Sequence, residues 1–519
     1  MSEIGVAPTG NAGRGQAIDR AILVLASVIV LGSIMSILDT TIVNVAIDTL
    51  GRDFHTGLST IQWVATGYLL ALSIVIPLTG WAMGRFGAKP IWMLSVALFL
   101  VGSALCGAAW SVGSLIAFRA LQGIGGGMLL PVGQAILAQA AGPKRMGRVM
   151  SIIGVPMLLG PVFGPVIGGL LVEYTSWRWI FYVNLPIGIL ALALAARLLP
   201  RVAPDRSERL DLRGLVLLSP GLALIVYGFS EASSSGGFGS TQTLIGLIAG
   251  GALVILFVSH ALGRGRRALL DVRLFRDRSF SAAAATSFLV GLAMFGAMIL
   301  LPLYYQVVRG SSVLTAGLLL APQGIGAAMA MPLAGTLTDK LGAGRVVPVG
   351  LALALLGTAA YAEIGSHTAY WWLSLALVVR GFGLGATLMP AMAAGYATLE
   401  HDDVPRATTT LNIIQRVGGS IGTALLAVYL SRELATAVPA GGHGASLSTL
   451  GEIPPHTREQ IAGPLAGAFG HTFWLALALT ALAYLPALFL PRQGSAPEPP
   501  TTAPVAARAA RGAGPPHAA

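Results

Sequence analysis

Long apolar runs alternate with short polar gaps along nearly the whole chain. An α-helix needs about 20 apolar residues to cross a bilayer's hydrocarbon core. Fourteen runs reach or approach that length, at 21–48, 58–80, 91–110, 113–139, 147–172, 178–198, 212–230, 241–262, 279–306, 313–337, 345–363, 370–395, 408–432 and 470–491. The pattern predicts an all-α polytopic membrane protein. The run at 147–172 is the least regular, being rich in Gly and Pro. The longest connection, 433–469, reads as a polar loop, and the Pro/Ala-rich chain beyond Pro491 reads as a disordered tail.

Composition agrees with this pattern. Of 519 residues, 55% are hydrophobic and 10% charged, against about 25% charged in a soluble domain. The net charge of +11 is not a nucleic-acid footprint, because the basic residues sit in the gaps between spans. With both termini inside, cytoplasmic segments hold 24 of the 32 basic residues. The outside holds Arg52, Arg178, Arg309, Arg432 and Arg458, and three lie within spans. This asymmetry fits an even span count. The loops 199–211 and 263–278 are basic and are expected to lie against the anionic inner leaflet. The one cysteine, Cys106, rules out an intramolecular disulfide. No phosphate-binding G-x-x-x-x-G-K-[ST] loop and no H-E-x-x-H or G-x-S-x-G constellation occurs. An ATPase or a membrane hydrolase is therefore not expected, and neither is a metal site.

The chain repeats itself. "PLTGWAMGRFGAKP" at 77–90 aligns with "PLAGTLTDKLGAGR" at 332–345 at a constant offset of 255, and "RALQGIGGGMLLP" at 119–131 echoes "RGFGLGATLMP" at 380–390. Two six-helix halves follow, spans 1–6 and 9–14, with spans 7 and 8 inserted between them. The expected division is a cytoplasmic segment 1–20, a bundle 21–198, basic loops with the inserted helices 199–278, a second bundle 279–491, and a tail 492–519. Repeated halves around a central site are the physical basis of alternating access.

Charges inside spans mark function, since each costs about 2.5–3.5 kcal/mol on insertion scales. Asp39 in span 1 and Arg119 in span 4 both fall very roughly 9–14 Å below the outer surface at 1.5 Å per residue. They are expected to share one layer of a wet cavity. A carboxylate beside a movable cation can bind a proton on one side and release it on the other. Two readings stand, a proton-coupling pair or a fixed structural one. Asp48 is expected at the outer water boundary. In "GPVFGPVIGG", Gly160, Gly164, Gly168 and Gly169 allow close helix approach, while Pro161 and Pro165 bend the helix. This suits a helix that seals one end of a cavity. In "GRFGAKP", Gly87 permits a tight turn, and Arg85 and Lys89 serve either as a gate or as topology anchors. Asp339 and Lys340 hold the corresponding turn of the second half. Asn44, Gln62, Trp63, Tyr68, Phe295, Tyr304, Gln306 and Arg380 are candidates for lining a substrate cavity, with packing as the alternative role for each. Arg416 reads as lying near the inner end, where it would snorkel.

Several of these stretches carry a family resemblance: "LDTTIVNVAI" (38–47), "GWAMGRFGAKP" (80–90), "FRALQGIGGG" (118–127), "GVPMLLGPVFGPVIGG" (154–169) and "SWRWIFYVNLPIG" (176–188). Over about residues 20–490 the chain resembles the major facilitator superfamily, in its fourteen-helix drug:proton antiporter branch (EmrB/QacA type). It departs from that pattern at Gly84, where the superfamily's loop motif usually carries an acid. Asp339 fills the place in the second half. The resemblance implies two six-helix bundles plus two inserted helices. It also implies proton-coupled export of lipophilic compounds, cationic ones included, with the proton as coupling ion and no other cofactor. The alternative is a dedicated exporter of one natural product, peptide or lipid. Expected partners are membrane lipids and a small lipophilic substrate, not nucleic acid. A monomer in the cytoplasmic membrane is expected, with both termini inside, joined by a periplasmic adaptor where the cell has an outer membrane.

Overall fold

The computed structural model describes residues 20–142, 145–200, 209–235, 237–437 and 455–492. The segments 1–19 and 493–519, called a terminal segment and a disordered tail from the sequence, lie outside the described residues. All regular structure among the described residues is helical. Twelve helices there are long and apolar enough to cross a membrane, and two bent pairs raise the number to fourteen.

In chain order the spans are α1 (Arg20–Asp53), α2 (Trp63–Val75 with Leu78–Phe86), α3 (Ala88–Gly107), α4 (Val112–Ala141), α5 (Met146–Tyr174), α6 (Asn184–Leu198) and α7 (Leu212–Ser235). Then come α8 (Thr241–Arg264), α9 (Arg278–Leu303), α10 (Val313–Leu341), α11 (Ala343–Ala362), α12 (Tyr370–Gly385 with Leu388–Ala394), α13 (Val404–Ala437) and α14 (Pro455–Leu482). Several begin on side-chain caps. Ser111, Ser240, Asp277 and Ser312 each accept a backbone N–H from the first turn of the helix that follows, which satisfies donors the helix itself cannot.

The repeat is visible in the backbone. Gly87 ends α2 at φ 90, ψ 149, and Gly342 ends α10 at φ 82, ψ 153. Their amides close matching bonds, to the Met83 carbonyl at 2.8 Å and the Thr338 carbonyl at 2.9 Å. Residues with a Cβ are almost excluded from that region. One glycine-dependent turn thus serves both halves at the end where the basic loops gather, called the basic end below.

Three boundaries differ from the sequence reading. α2 is not one continuous span but bends by 54° between Val75 and Leu78, because Pro77 cannot donate to the helix ladder. α13 runs four residues earlier and five later than the apolar run 408–432. Most of the predicted loop 433–469 is not loop among the described residues: α14 starts at Pro455, and Leu465, Ala466 and Phe469 are buried. The small residues of "AGPLAGAFG" lower the apparent hydropathy, yet Ala466, Ala468 and Gly470 are buried against neighbours.

The inserted α7 crosses the seam between the halves. Its Ser219 donates to the Ile74 carbonyl of α2 at 2.7 Å, Tyr227 stacks on Trp63 of α2 at 6.0 Å, and Ala232 packs on Ala424 and Val428 of α13. α8 lies outside it and leaves Ile248, Ile255 and Leu262 exposed, as a lipid-facing helix would.

Candidate functional site

Asp39 and Arg119 meet. Arg119 Nη1 donates to Asp39 Oδ2 at 2.5 Å, and both side chains are almost completely buried, at 1% and 0% exposure. The other carboxylate oxygen accepts Gln122 Nε2 at 2.9 Å. Gln122 lies one turn after Arg119 on α4 and also accepts from its guanidinium at 2.8 Å. Arg119 Nε donates to the Val64 carbonyl of α2 at 3.1 Å, and the guanidinium stacks over the Tyr68 ring, 4.1 Å from its centroid. Tyr68 is pinned in turn by Ser36 of α1, 3.1 Å away. The pair therefore ties α1, α2 and α4 together. Desolvating an ion pair is costly unless its remaining hydrogen-bonding groups are satisfied, and here Gln122, Val64 and Tyr68 do that.

Gln122 escaped the sequence reading. So did Asn184, the first residue of α6, which is buried and donates to Ser103 Oγ at 3.1 Å. Neutral amides stand out less than charges in an apolar run. For Gln122 the available signal was its i+3 spacing from Arg119, which places both on one helix face.

The second half answers differently. Arg380, on α12, donates to Gln323 Oε1 of α10 at 2.5 Å and to Thr358 of α11 at 3.3 Å. It is 4% exposed, and among the described residues no carboxylate pairs with it. Arg416 does not lie at the inner end as its sequence position suggested. The earlier start of α13 at Val404 puts twelve residues before it, and it is half-buried. It makes no ion pair among the described residues.

The cavity candidates do not converge on one site. Asn44 and Gln62 are exposed towards the end opposite the basic one, and Asn44 bonds only to the Thr40 carbonyl of its own helix, at 3.4 Å. Trp63 is engaged with Tyr227. Phe295 packs on Gly419 of α13. Tyr304 is fully buried, donates to the Gly365 carbonyl at 2.9 Å and packs edge-on against Phe469. Gln306 is half-buried in a π-helical turn, Tyr304–Val308.

The glycines of α5 form two faces. A Cβ on Gly160, Gly164 or Gly168 would run into Ile37, Thr41 or Ile42 of α1, the turns flanking Asp39. This face closes α5 on α1 within one half. Gly169 has nothing near it. Nearer the basic end, a Cβ on Gly147 would meet Gly335 and Asp339 of α10, and one on Gly154 would meet Met331 and Met389 of the second half. α5 bends by 45° between Gly160 and Phe163. The side chain of Pro161, like that of Asp48, lies outside the description, and Pro165 is half-buried.

The basic end is latched across the halves. Asp339 accepts Gly147 N at 2.8 Å and Arg148 Nε at 2.7 Å, both from the start of α5. Gln134 of α4 accepts Asn412 Nδ2 of α13 at 2.7 Å. Gly84 occupies the pseudo-symmetric place of Asp339, and Gly80, like Gly335, faces an arginine at a helix start, here Arg406 of α13. Lys89 instead donates to the Ala196 and Leu199 carbonyls at the end of α6, both at 2.8 Å, closing that helix's C-terminus. Arg85 is half-buried, and Lys340 lies in the last turn of α10. Between α7 and α8, buried Asp211 accepts His260 Nε2 at 2.9 Å, Gly214 N at 3.1 Å and Leu269 N at 3.2 Å. Burial pushes its carboxyl up, but these hydrogen bonds together outweigh burial and hold it below the ordinary carboxylate value.

The sequence profile of the Major Facilitator Superfamily matches residues 29–423. The chain is 41% identical over 510 residues to a multidrug resistance protein B homolog from Mycobacterium tuberculosis, covering 94% of each. It is 30% identical over 467 residues to the putative multidrug resistance protein MdtD of Cronobacter sakazakii, covering 90% of this chain and 93% of that one. Its fold resembles that of the human organic anion transporter MFSD10, with a TM-score of 0.58 at 18% identity over 91% of this chain and all of the other. It also resembles the proton:xylose symporter XylE, with a TM-score of 0.58 at 14% identity over 90% and 94%. Fourteen spans in repeated halves and a profile match over most of their length lead to one assignment: the chain belongs to the major facilitator superfamily, a family of membrane transporters.

Proposed function

We propose that the chain exports lipophilic small molecules across the cytoplasmic membrane in exchange for protons, with both termini inside. The observation that carries this reading is the buried Asp39–Arg119 pair with Gln122 against it. An ionised Asp39 holds Arg119 and keeps α1, α2 and α4 together. A proton on Asp39 removes the attraction and frees Arg119 towards Tyr68 and the Val64 carbonyl. Protonation thereby changes how three helices of one half pack, which is what alternating access needs. The latch between Asp339 and Arg148 closes the basic end in this conformation, and transport requires it to open. One proton charge crossing 100 mV supplies about 2.3 kcal/mol, so at a somewhat larger potential one proton supports a substrate gradient of about a hundredfold. The names of the relatives point to drugs as cargo.

A second reading, export of one dedicated product, draws on a different observation. Arg380 and Arg416 lie within spans with no carboxylate partner among the described residues. With Asp39 offset by Arg119, the middle of the protein carries excess positive charge, which favours a neutral or acidic compound over a cationic one. The experiment is substrate-dependent proton movement in inverted vesicles, with neutral, acidic and cationic lipophilic compounds tested side by side. Dissipation of an imposed pH gradient by several unrelated compounds supports the broad exporter, and dissipation by a single acidic class supports the dedicated one. No response to any compound contradicts coupled export of this kind.

A further inference from the structure

At the basic end a cavity of about 470 Å³ is lined by Trp81 of α2, Arg209 and Asp211 before α7, Arg264 at the end of α8, Arg266 to Leu269 in the turn after it, and Arg406 at the start of α13. Five of its nine described wall residues are arginines, drawn from the insert with its flanking turns and from the second half. Asp211, the one carboxylate among its described wall residues, is already engaged by His260 and two backbone amides, with Arg264 at 3.7 Å. Arg266 reaches out of the cavity to Asp403 at 3.1 Å and Glu400 at 3.4 Å, and its carbonyl accepts Arg406 Nη1 at 2.6 Å. Among the described residues Arg209 and Arg267 make no ion pair. Exposed arginines repel one another and are converged at a cost unless an anion sits between them. The wall's remaining large residue, Trp81, has the amphipathic ring that favours a membrane border.

We propose that this cavity binds a phosphate-bearing anion, supplied by an inner-leaflet lipid headgroup or by soluble phosphate. Guanidinium groups match phosphate oxygens two at a time, and basic pockets between membrane helices take anionic headgroups. Bound there, one phosphate touches α2 through Trp81, the insert through Arg209 and Arg267, and the second half through Arg406. It staples the inserted helix pair to both halves beside the seam where Gly80 faces Arg406. This goes beyond coupled export and holds or fails independently of it.

The test uses the full chain, purified in detergent, with thermal unfolding followed while dioleoylphosphatidylglycerol, dioleoylphosphatidylcholine or inorganic phosphate is added. Wild type is run beside Arg209→Gln/Arg267→Gln and beside a control, Arg276→Gln/Arg345→Gln, which removes two charges from the same end outside the cavity. The lipid form of the proposal expects phosphatidylglycerol, and not phosphatidylcholine, to raise the unfolding temperature of wild type and control alike. It expects the cavity variant to need about thirtyfold more of that lipid. Stabilisation by inorganic phosphate alone, lost in the cavity variant, assigns the same site to a soluble anion. An equal response in all three proteins, an equal loss in both variants, or no response in wild type overturns the proposal. Should the cavity variant fail to fold, a photoreactive phosphatidylglycerol on wild type keeps the question open to refutation: adducts at 264–269 and near Arg406 support the site, and adducts confined to other segments overturn it.

Discussion

Asp39 is the residue on which the most depends. It touches Arg119 and Gln122 and no solvent. Replacing it by Asn keeps the size and leaves Arg119 as a buried cation without a counter-charge, and removing one partner of a buried pair typically costs about 3–5 kcal/mol. Asp39→Asn is therefore expected to unfold at lower temperature than wild type. Gln122→Glu, which adds a second acid against Arg119, is expected to recover part of that loss when combined with Asp39→Asn, as thermal unfolding would register. The turn glycines make an independent case. Gly87→Ala or Gly342→Ala forces a Cβ into a glycine-only region, at a cost of about 1–3 kcal/mol each, and two equal shifts in unfolding temperature are expected from equal geometry. Charged residues such as Asp39 and Arg119 were legible in the sequence because an apolar run sets them off. Gln122 and Asn184 were not, because a neutral amide in a helix is common and its role depends on what lies across from it. Arg416 was misplaced for a different reason: its depth follows from where α13 begins, and Pro405 and Arg406 hid that start.

Among the elements, α5 and the two repeat turns carry the mechanical argument. The face Gly160–Gly164–Gly168 packs on α1 at the level of Asp39, and Gly169 packs on nothing. Gly164→Ala is expected to cost about 1–3 kcal/mol through overpacking and to impair transport, while Gly169→Ala is expected to leave both near wild type, with unfolding temperature and efflux measured on each. The latch's acid stands on one side only, Asp339 in the second half against Gly84 in the first. Asp339→Asn is expected to loosen the basic end, and Gly84→Asp, which supplies the missing acid near Arg406, to tighten it. A cysteine introduced in α5 at Met150, read by a thiol reagent against the buried background of Cys106, should react faster in Asp339→Asn and slower in Gly84→Asp. The span count and the repeat were legible in hydropathy and in the offset of 255. The break in α2 and the early start of α14 were not. A proline inside an apolar run bends a helix without lowering hydropathy, and a Gly/Ala helix packs without raising it.

At the scale of the molecule, two six-helix halves are joined at the basic end by the Asp339 latch and by Gln134–Asn412, and along the seam by α7. The insert is anchored through Asp211, which faces His260 and Arg264 of α8. Its folded value is depressed, so its ionised form favours the folded state at neutral pH, and that contribution is lost as pH falls below about 4. The stability difference between wild type and Asp211→Asn should shrink towards zero in acid, which unfolding temperatures between neutral pH and pH 3 would reveal. The central claim is that Asp39 is where proton and helix packing meet. Its most direct test is proton release from purified protein in weakly buffered detergent on adding a substrate found in the vesicle assay, wild type against Asp39→Asn. The account predicts release from wild type, varying with pH, and none from Asp39→Asn. Equal release from both would place the coupling proton elsewhere and leave Asp39–Arg119 a structural pair.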